Sequence, residues 1–243
     1  MNGFFITGTD TDIGKTALSA LLLAELRRRG INAAPMKPAQ TGCELKVQSS
    51  TFSVPDLDYS LSMAQMNISD ENYALMSPCR FEPACSPHLA AKLVGTEIDL
   101  TRLTDAARDL AAEYDLVLVE GAGGILVPLN RRETMLDLMT ALNIPILLAA
   151  RPGLGTINHT LLSIQALRSA GLEIAGVVLV ESQKTESTFI EEDNITTIEQ
   201  FGEVSILGTI PFCAQLHDPA PDYSSLPVPV VAEIEKIVNK LTI

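Results

Sequence analysis

Two lysines, a threonine and a glutamate stand along this chain in settings that suit the handling of a phosphoryl group. The stretch "FFITGTDTDIGKT", Phe4 to Thr16, joins an apolar run to a glycine-bracketed turn, with Gly-Lys-Thr at the mouth of a helical pattern. The common phosphate loop has four residues between its first glycine and its Gly-Lys pair. Here Gly8 and Gly14 enclose five, Thr9, Asp10, Thr11, Asp12 and Ile13, so Thr9 stands where the pattern expects its first glycine. Such a turn still points backbone N–H groups inward at the positive end of a helix. Gly14 would let the backbone approach an anion, Lys15 would reach the β- and γ-phosphates of a nucleotide, and the Thr16 hydroxyl would ligate Mg²⁺. The bland alternative is a strand–turn–helix with an exposed lysine.

Two further stretches fit the same chemistry. In "LVLVEGAGG" a strand is expected over Leu116–Val119, with Glu120 at its carboxyl end, where ligands of open α/β sheets gather. A carboxylate there can hold Mg²⁺ directly or through water, and Gly121, Gly123 and Gly124 leave room for a substrate. In "MKPAQTG", Lys37 lies just past a short strand between two prolines, with Thr41 four residues on. A lysine at that end of a strand faces the same crevice. A surface glutamate and a solvated loop lysine are the plain readings of these two. In "EPACSPHLAA", Ser86 suits an N-cap and Pro87 a first turn, so structure alone accounts for most of it. His88, His159 and His217 read first as capping, packed or surface residues.

The elements that must position these groups alternate regularly. Apolar runs ("GFFIT", "DLVLVEGAGG", "IPILLAA", "EIAGVVLVES", "VSILGTI") are separated by helical patterns, the signature of a parallel sheet covered on both faces. Leu18, Leu22 and Leu26 recur at fourfold spacing in the first helix, which ends on basic residues and Gly30. From Cys43 to about Arg80 the pattern weakens, and only "YSLSMAQM" looks helical; this is expected to fold over the sheet edge and to be partly mobile. The fold class expected is α/β, a doubly wound, mostly parallel sheet with helices on both faces, like phosphate-loop NTPases, as one domain over 1–243.

A formal charge of −13 over 243 residues argues against a nucleic-acid surface. The apolar runs are too short for membrane spans, and no secretory pattern opens the chain. Four cysteines without CxxC pairing or a zinc-spaced histidine read as reduced thiols. A cytoplasmic location is expected.

With these pieces in order, the chain resembles the dethiobiotin synthetase family, the ATP-dependent carboxylases of biotin synthesis. The resemblance runs through "TGTDTDIGKT", "KPAQTG", "SPHLAA", "LVEGAGG", "LGTINHTLLS" and "GTIP", and the family accepts the lengthened glycine spacing. It implies that CO₂ adds to an amine of 7,8-diaminopelargonic acid, that the carbamate attacks the γ-phosphate of ATP, and that the neighbouring amine closes the ureido ring. It implies that Lys15 clamps phosphates and that Lys37 stabilises the carbamate and its phosphoanhydride. Thr16 and Glu120 would hold Mg²⁺, with Asp56 or Asp58 completing the set and Asp56 slightly favoured. Thr11 and Thr41 would hydrogen-bond the reacting groups, and Ser86 and His88 would line the site. In the family the helix opened by Gly155, Thr156, Ile157 and Asn158 comes from the second subunit and binds the substrate carboxylate, so a homodimer is implied.

Two positions depart from the family. Asp12 stands where glutamate is commoner, giving a shorter reach. Val180 stands where an asparagine commonly reads the adenine edge; valine cannot make those bonds, so base selectivity is expected to be relaxed or supplied by backbone near Pro211. Three other classes compete. A partition or division-site ATPase usually has an extra lysine early in the loop, lacking here, and its membrane-targeting members end in a basic helix unlike "VVAEIEKIVNKL". A cobyrinate-type amidoligase is expected to add a glutaminase domain, for which this chain is too short. A non-catalytic nucleotide-binding module would show no CO₂-dependent turnover.

Overall fold

The computed structural model describes residues 1–46, 51–184 and 189–242. The chain runs β1 (Gly3–Gly8), α1 (Lys15–Arg28), β2 (Ala33–Met36), β3 (Ala39–Thr41), β4 (Glu44–Lys46), β5 (Thr51–Ser53), α2 (Pro55–Met63), α3 (Asp70–Met76) and β6 (Cys79–Phe81). It continues through α4 (Pro87–Leu93), α5 (Leu100–Glu113), β7 (Leu116–Gly124), α6 (Met135–Leu142), β8 (Ile146–Ala150) and α7 (Thr156–Ser169). The last elements are β9 (Ile174–Val180), α8 (Phe189–Gly202), β10 (Ile206–Ile210) and α9 (Val228–Lys240).

Six strands form one sheet in the order β10-β9-β8-β1-β7-β2, and every pairing within it is parallel. Successive side chains of a strand point to opposite faces, and here both faces are apolar. Phe4 and Ile6 of β1 join Leu18 and Leu22 of α1 and Ile234 of α9 in one core. Phe5, between them, joins Leu103 and Leu110 of α5, Leu138 of α6 and Leu167 of α7 in the other. This is why the strands read as unbroken apolar runs, and the expected doubly wound architecture is the one observed.

Strand β7 runs past the buried Leu116–Val119 stretch and on through the glycines. Pairing with β1 continues past Glu120 as far as Gly8 opposite Gly124, so the glycines belong to the strand rather than to a loop after it. The irregular segment after β2 holds more structure than its sequence suggests. β3 pairs with β6 in a small parallel sheet and β4 with β5 in an antiparallel pair. Helix α2 starts at Pro55, before the stretch that looked helical, with Asp56 and Asp58 in its first turn, where carboxylates favour the helix dipole. Helix α3 is capped by the Ser69 hydroxyl, which accepts from the Asn72 N–H. Short elements carry too few apolar repeats to be seen by periodicity. The expectation of mobility falls partly on residues 47–50, outside the described residues. Among the described residues no helix is long and apolar enough to cross a membrane.

Candidate active site

Strand order brings the separated motifs to one end of the sheet. β1 delivers the glycine-rich loop and β7 delivers Glu120, and Ile6 is register partner to Glu120. β2 lies on the other side of β7, with Met36 opposite Val119, so Lys37 emerges beside Glu120. The loop begins with the Thr9 N–H donating to the Ala149 carbonyl at 3.1 Å. It turns through positive φ at Asp12 (55°) and Gly14 (89°) before α1 starts. Glycine is required at the second of these positions. A Cβ there would lie 2.4 Å from Cγ1 of Val180, so loop and β9 meet without a side chain between them.

The Lys15 ammonium folds back over the loop and donates to the Asp10 carbonyl at 2.7 Å. Burial pulls its pKa below the ordinary lysine value, and the nearby positive charge of Lys37 adds to that. The Thr16 hydroxyl donates to Oε1 of Glu120 at 2.8 Å. The same oxygen accepts from the Lys37 ammonium at 2.7 Å, and Lys37 also reaches the Gly121 carbonyl at 3.2 Å and Oδ2 of Asp56 at 2.6 Å. Lys37 and Glu120 are almost fully enclosed. Burial by itself would lower the Lys37 pKa, but the charges and hydrogen bonds of Glu120 and Asp56 reverse this and hold it protonated above the ordinary range. Burial pushes Glu120 upward, with Lys37 opposing.

These groups line a cleft of about 630 Å³ together with Thr11, Asp12, Gly14, Thr41 and Gly123. Its far end, at β9 and beyond β10, is walled by Val180, Glu181, Cys213, Leu216 and His217. Glu181 is held there by the Phe212 N–H, which donates to its Oε2 at 3.1 Å. A larger groove of about 850 Å³ lies between α3 and α5, lined by Glu71, Asp99, Asp105, Asp109 and Glu113 with Arg102, and contains none of these groups.

Other expected site residues lie elsewhere. Ile13 is buried in the core, its Cδ1 filling the space beside Gly8, so it shapes the loop from beneath. Asp58, two residues after Asp56, is not in the cleft lining and accepts from the Ser53 hydroxyl at 2.5 Å and the Tyr73 hydroxyl at 2.7 Å. Gly8, Thr9 and Asp10 are not in the cleft lining; Thr9 and Asp10 border a shallow neighbouring groove with Leu126 and Leu162. Gly121 touches Lys37 through its carbonyl rather than lining the cleft. Gln40 and Ala122, not singled out from sequence, do line it.

Known proteins resemble this chain in sequence and in fold. A family model described as an AAA domain matches residues 2–220. An ATP-dependent dethiobiotin synthetase of Halalkalibacterium halodurans is 39% identical over 89% of this chain and 87% of its own length. The chain belongs to the dethiobiotin synthetase family. Relatives of the same description from Anoxybacillus flavithermus (39% identical, 87% of this chain, 92% of that one) and an Anaeromyxobacter strain (45%, 74% and 76%) agree. Among solved structures, the cell-division protein MinD from Aquifex aeolicus, in complex with MinC, matches at TM-score 0.64 and 16% identity over 99% of this chain and 95% of that one. A ParA-family ATPase of Chlorobium tepidum matches at 0.57 and 17% over 98% of each chain. At such identities these show a shared fold and nothing of function.

Three stretches expected from the sequence to line the site are outside the cleft of this single chain. Ser86 sits at the N-cap position of α4 but its hydroxyl makes no capping bond, and exposed His88 borders a separate groove with Lys92 and Arg131. Gly155, Thr156, Ile157 and Asn158 open α7 after β8, at the same end of the sheet as the loop but not in the cleft lining. Pro211 follows β10 and is likewise not in the lining, where Cys213, Leu216 and His217 stand instead.

Proposed function

We propose that this chain is an ATP-dependent dethiobiotin synthetase, taking 7,8-diaminopelargonic acid, CO₂ and ATP to dethiobiotin, ADP and phosphate. One observation carries the reading beyond family membership: Lys15, Thr16, Lys37, Asp56 and Glu120, from four separate elements and loops, converge on a single cleft. Partition-type ATPases share the sheet, but the sequence relatives at 39–45% identity carry the synthetase description. We read 1–243 as one working domain, and a cytoplasmic location suits its reactants.

In this reading the loop N–H groups and Lys15 hold the triphosphate, replacing the Asp10 carbonyl as the lysine's partner. Thr16, Glu120 and Asp56 fit Mg²⁺. They offer hard oxygen donors: one hydroxyl and two carboxylates. That suits an ion that binds through one or two carboxylates and keeps substrate phosphates and water as its other ligands. Bound there, the ion would neutralise charge on the transferring phosphoryl group. Lys37, held as a cation, stabilises the carbamate as it forms and the oxygen that joins it to phosphorus. Thr11 and Thr41 orient the reacting groups across the cleft. The cleft would serve to hold the attacking and leaving oxygens in line. The N-terminal turn of α7 serves the substrate carboxylate in a homodimer, where a second subunit presents it to this cleft, and Ser86 and His88 have a site-lining role only. Exposed Leu126, Leu154 and Leu162 give that dimer its apolar contact.

The test supplies purified protein with ATP, Mg²⁺, bicarbonate and 7,8-diaminopelargonate. Dethiobiotin and phosphate are expected in equal amounts. Phosphate release no greater than the diamine-free background would overturn the assignment. Sedimentation should show a dimer, dissociated by Leu162→Glu.

A further inference from the structure

Gln40 follows Lys37 by three residues and shares the cleft wall with Thr41. The residue is only 7% exposed. Nε2 donates to the Thr41 carbonyl at 3.0 Å. A carbonyl only accepts, so this contact fixes which end of the amide is which. Oε1 therefore points away from Thr41, and it finds no hydrogen-bond donor among the described residues. The hydroxyls of Thr7, Ser19 and Ser77 are also without partners, but none of them lines the cleft. A buried amide oxygen without a donor is costly and rare in a folded chain. At the wall of a binding cleft it marks a contact that a ligand completes.

The strand order indicates which ligand. β1 and its loop divide the cleft. Val180, Glu181, Cys213 and His217 lie on the β9–β10 side, and Glu120, Gly123, Lys37, Gln40 and Thr41 lie on the β7–β2 side. A nucleotide with its phosphates over Lys15 and its base toward β9–β10 leaves the β7–β2 half to the phosphoryl acceptor. Of the reactants in that half, CO₂ and the γ-phosphate oxygens are acceptors and cannot satisfy Oε1. Amine N–H groups can.

We propose that Gln40 is a substrate-binding residue for the diamine, resting on the synthetase reading above: its Oε1 accepts an N–H of a substrate amine. Gln40 lines the cleft and its terminal torsion is soft, so a turn about that torsion brings the oxygen to the amine. A neutral primary amine held by one N–H keeps its lone pair free for carbon; as the C–N bond forms its other N–H proton leaves to water, and the carbamate nitrogen retains the first hydrogen for the same contact. Lys37, three residues away in sequence, then faces the carboxyl end of that carbamate. Gln40 thereby selects for nitrogen over an oxygen acceptor that lacks a hydrogen.

Gln40→Met keeps the length of the side chain and removes both polar ends. The KM for diaminopelargonate should rise about tenfold, the equivalent of one buried hydrogen bond, with the KM for ATP little changed. The melting temperature without ligand should be unchanged or higher, because the variant loses an unpartnered acceptor. The rise in melting temperature that the diamine produces in the wild type should shrink. An unchanged diamine KM and an unchanged diamine-induced shift would overturn the proposal. So would a variant that melts lower or fails to fold, which would make the amide a structural group. Wild-type turnover reports on the synthetase reading separately: turnover with an indifferent Gln40→Met removes this inference alone, and a wild type that neither turns over nor is stabilised by the diamine removes both.

Discussion

Lys37 and Glu120 are 83 residues apart in sequence, and their charged ends lie 2.7 Å apart in the fold. Asp56 closes the cluster from the other side of the ammonium. Register makes the contact, since Met36 and Ile6 flank β7 opposite Val119 and Glu120. An ammonium so held is a fixed positive charge at the spot where the synthetase reading needs one.

Lys37→Ala should lower turnover by about 100-fold or more, the usual scale for a group that stabilises developing charge, with much less effect on ATP affinity. Calorimetric nucleotide binding separates the two; selective loss of ATP binding would reassign Lys37 to the nucleotide. The variant also leaves Glu120 buried without its cation, a change costing about 3–5 kcal/mol. Burial already raises the Glu120 pKa, and losing Lys37 raises it further. A raised carboxyl pKa favours the fold below the unfolded value and penalises it as pH climbs. The deficit against wild type should therefore be larger at about pH 8 than at about pH 5, as denaturant melts at both will show.

Asp56→Asn and Asp58→Asn should part company. The first removes a carboxylate from the Lys37 cluster and should raise the Mg²⁺ concentration needed for half-maximal turnover. The second weakens the bonds from Ser53 and Tyr73 and should cost about 1–3 kcal/mol of stability with an unaltered Mg²⁺ titration. Equal Mg²⁺ responses would return Asp58 to the site.

Val180 has only methyl groups to offer the cleft, and it packs so closely on the loop that a Cβ at Gly14 would lie 2.4 Å from its Cγ1. ATP, CTP and GTP should compete within about tenfold of one another, the difference of roughly one hydrogen bond. Strong preference for ATP would show that backbone or Glu181 reads the base instead.

Glu25 ties α1 to the C-terminal region. Fully buried, it accepts from Arg28, Arg29 and the Tyr223 hydroxyl, while Arg28 and Arg29 reach on to Glu235 and Asn239 of α9. Burial pushes its pKa up, but these hydrogen bonds outweigh it and the net shift is below the ordinary 4.5. A depressed carboxyl pKa stabilises the fold above the unfolded value, and that stability disappears as pH falls through the folded one. Wild type should lose stability on acidification below about pH 4.5 more steeply than Glu25→Gln, whose melting temperature should be lower at neutral pH and flatter with acid.

Much of this protein was legible in one dimension. Unbroken apolar runs with intervening helices imply a sheet covered on both faces, because a strand buried on both sides cannot alternate polar with apolar. Gly14-Lys15-Thr16 at a strand–helix junction implies an anion cradle, because the backbone there must point N–H groups inward. Glu120 at the end of an apolar run was findable for the same local reason. Other features were not local. Asp56 and Asp58 are two residues apart on one short helix, and only the way α2 lies against β2 and α1 turns one toward Lys37 and the other toward Tyr73. The glycines after Glu120 extend β7 because β1 is there to pair with them. Gln40 looks like any loop glutamine until the Thr41 carbonyl orients its amide and the wall buries its oxygen. Residue type and spacing determined the elements and the chemistry each could carry, since propensity and periodicity act over a few residues. Which groups share one cleft was decided by strand order and packing, since those are set by contacts between segments far apart in the chain.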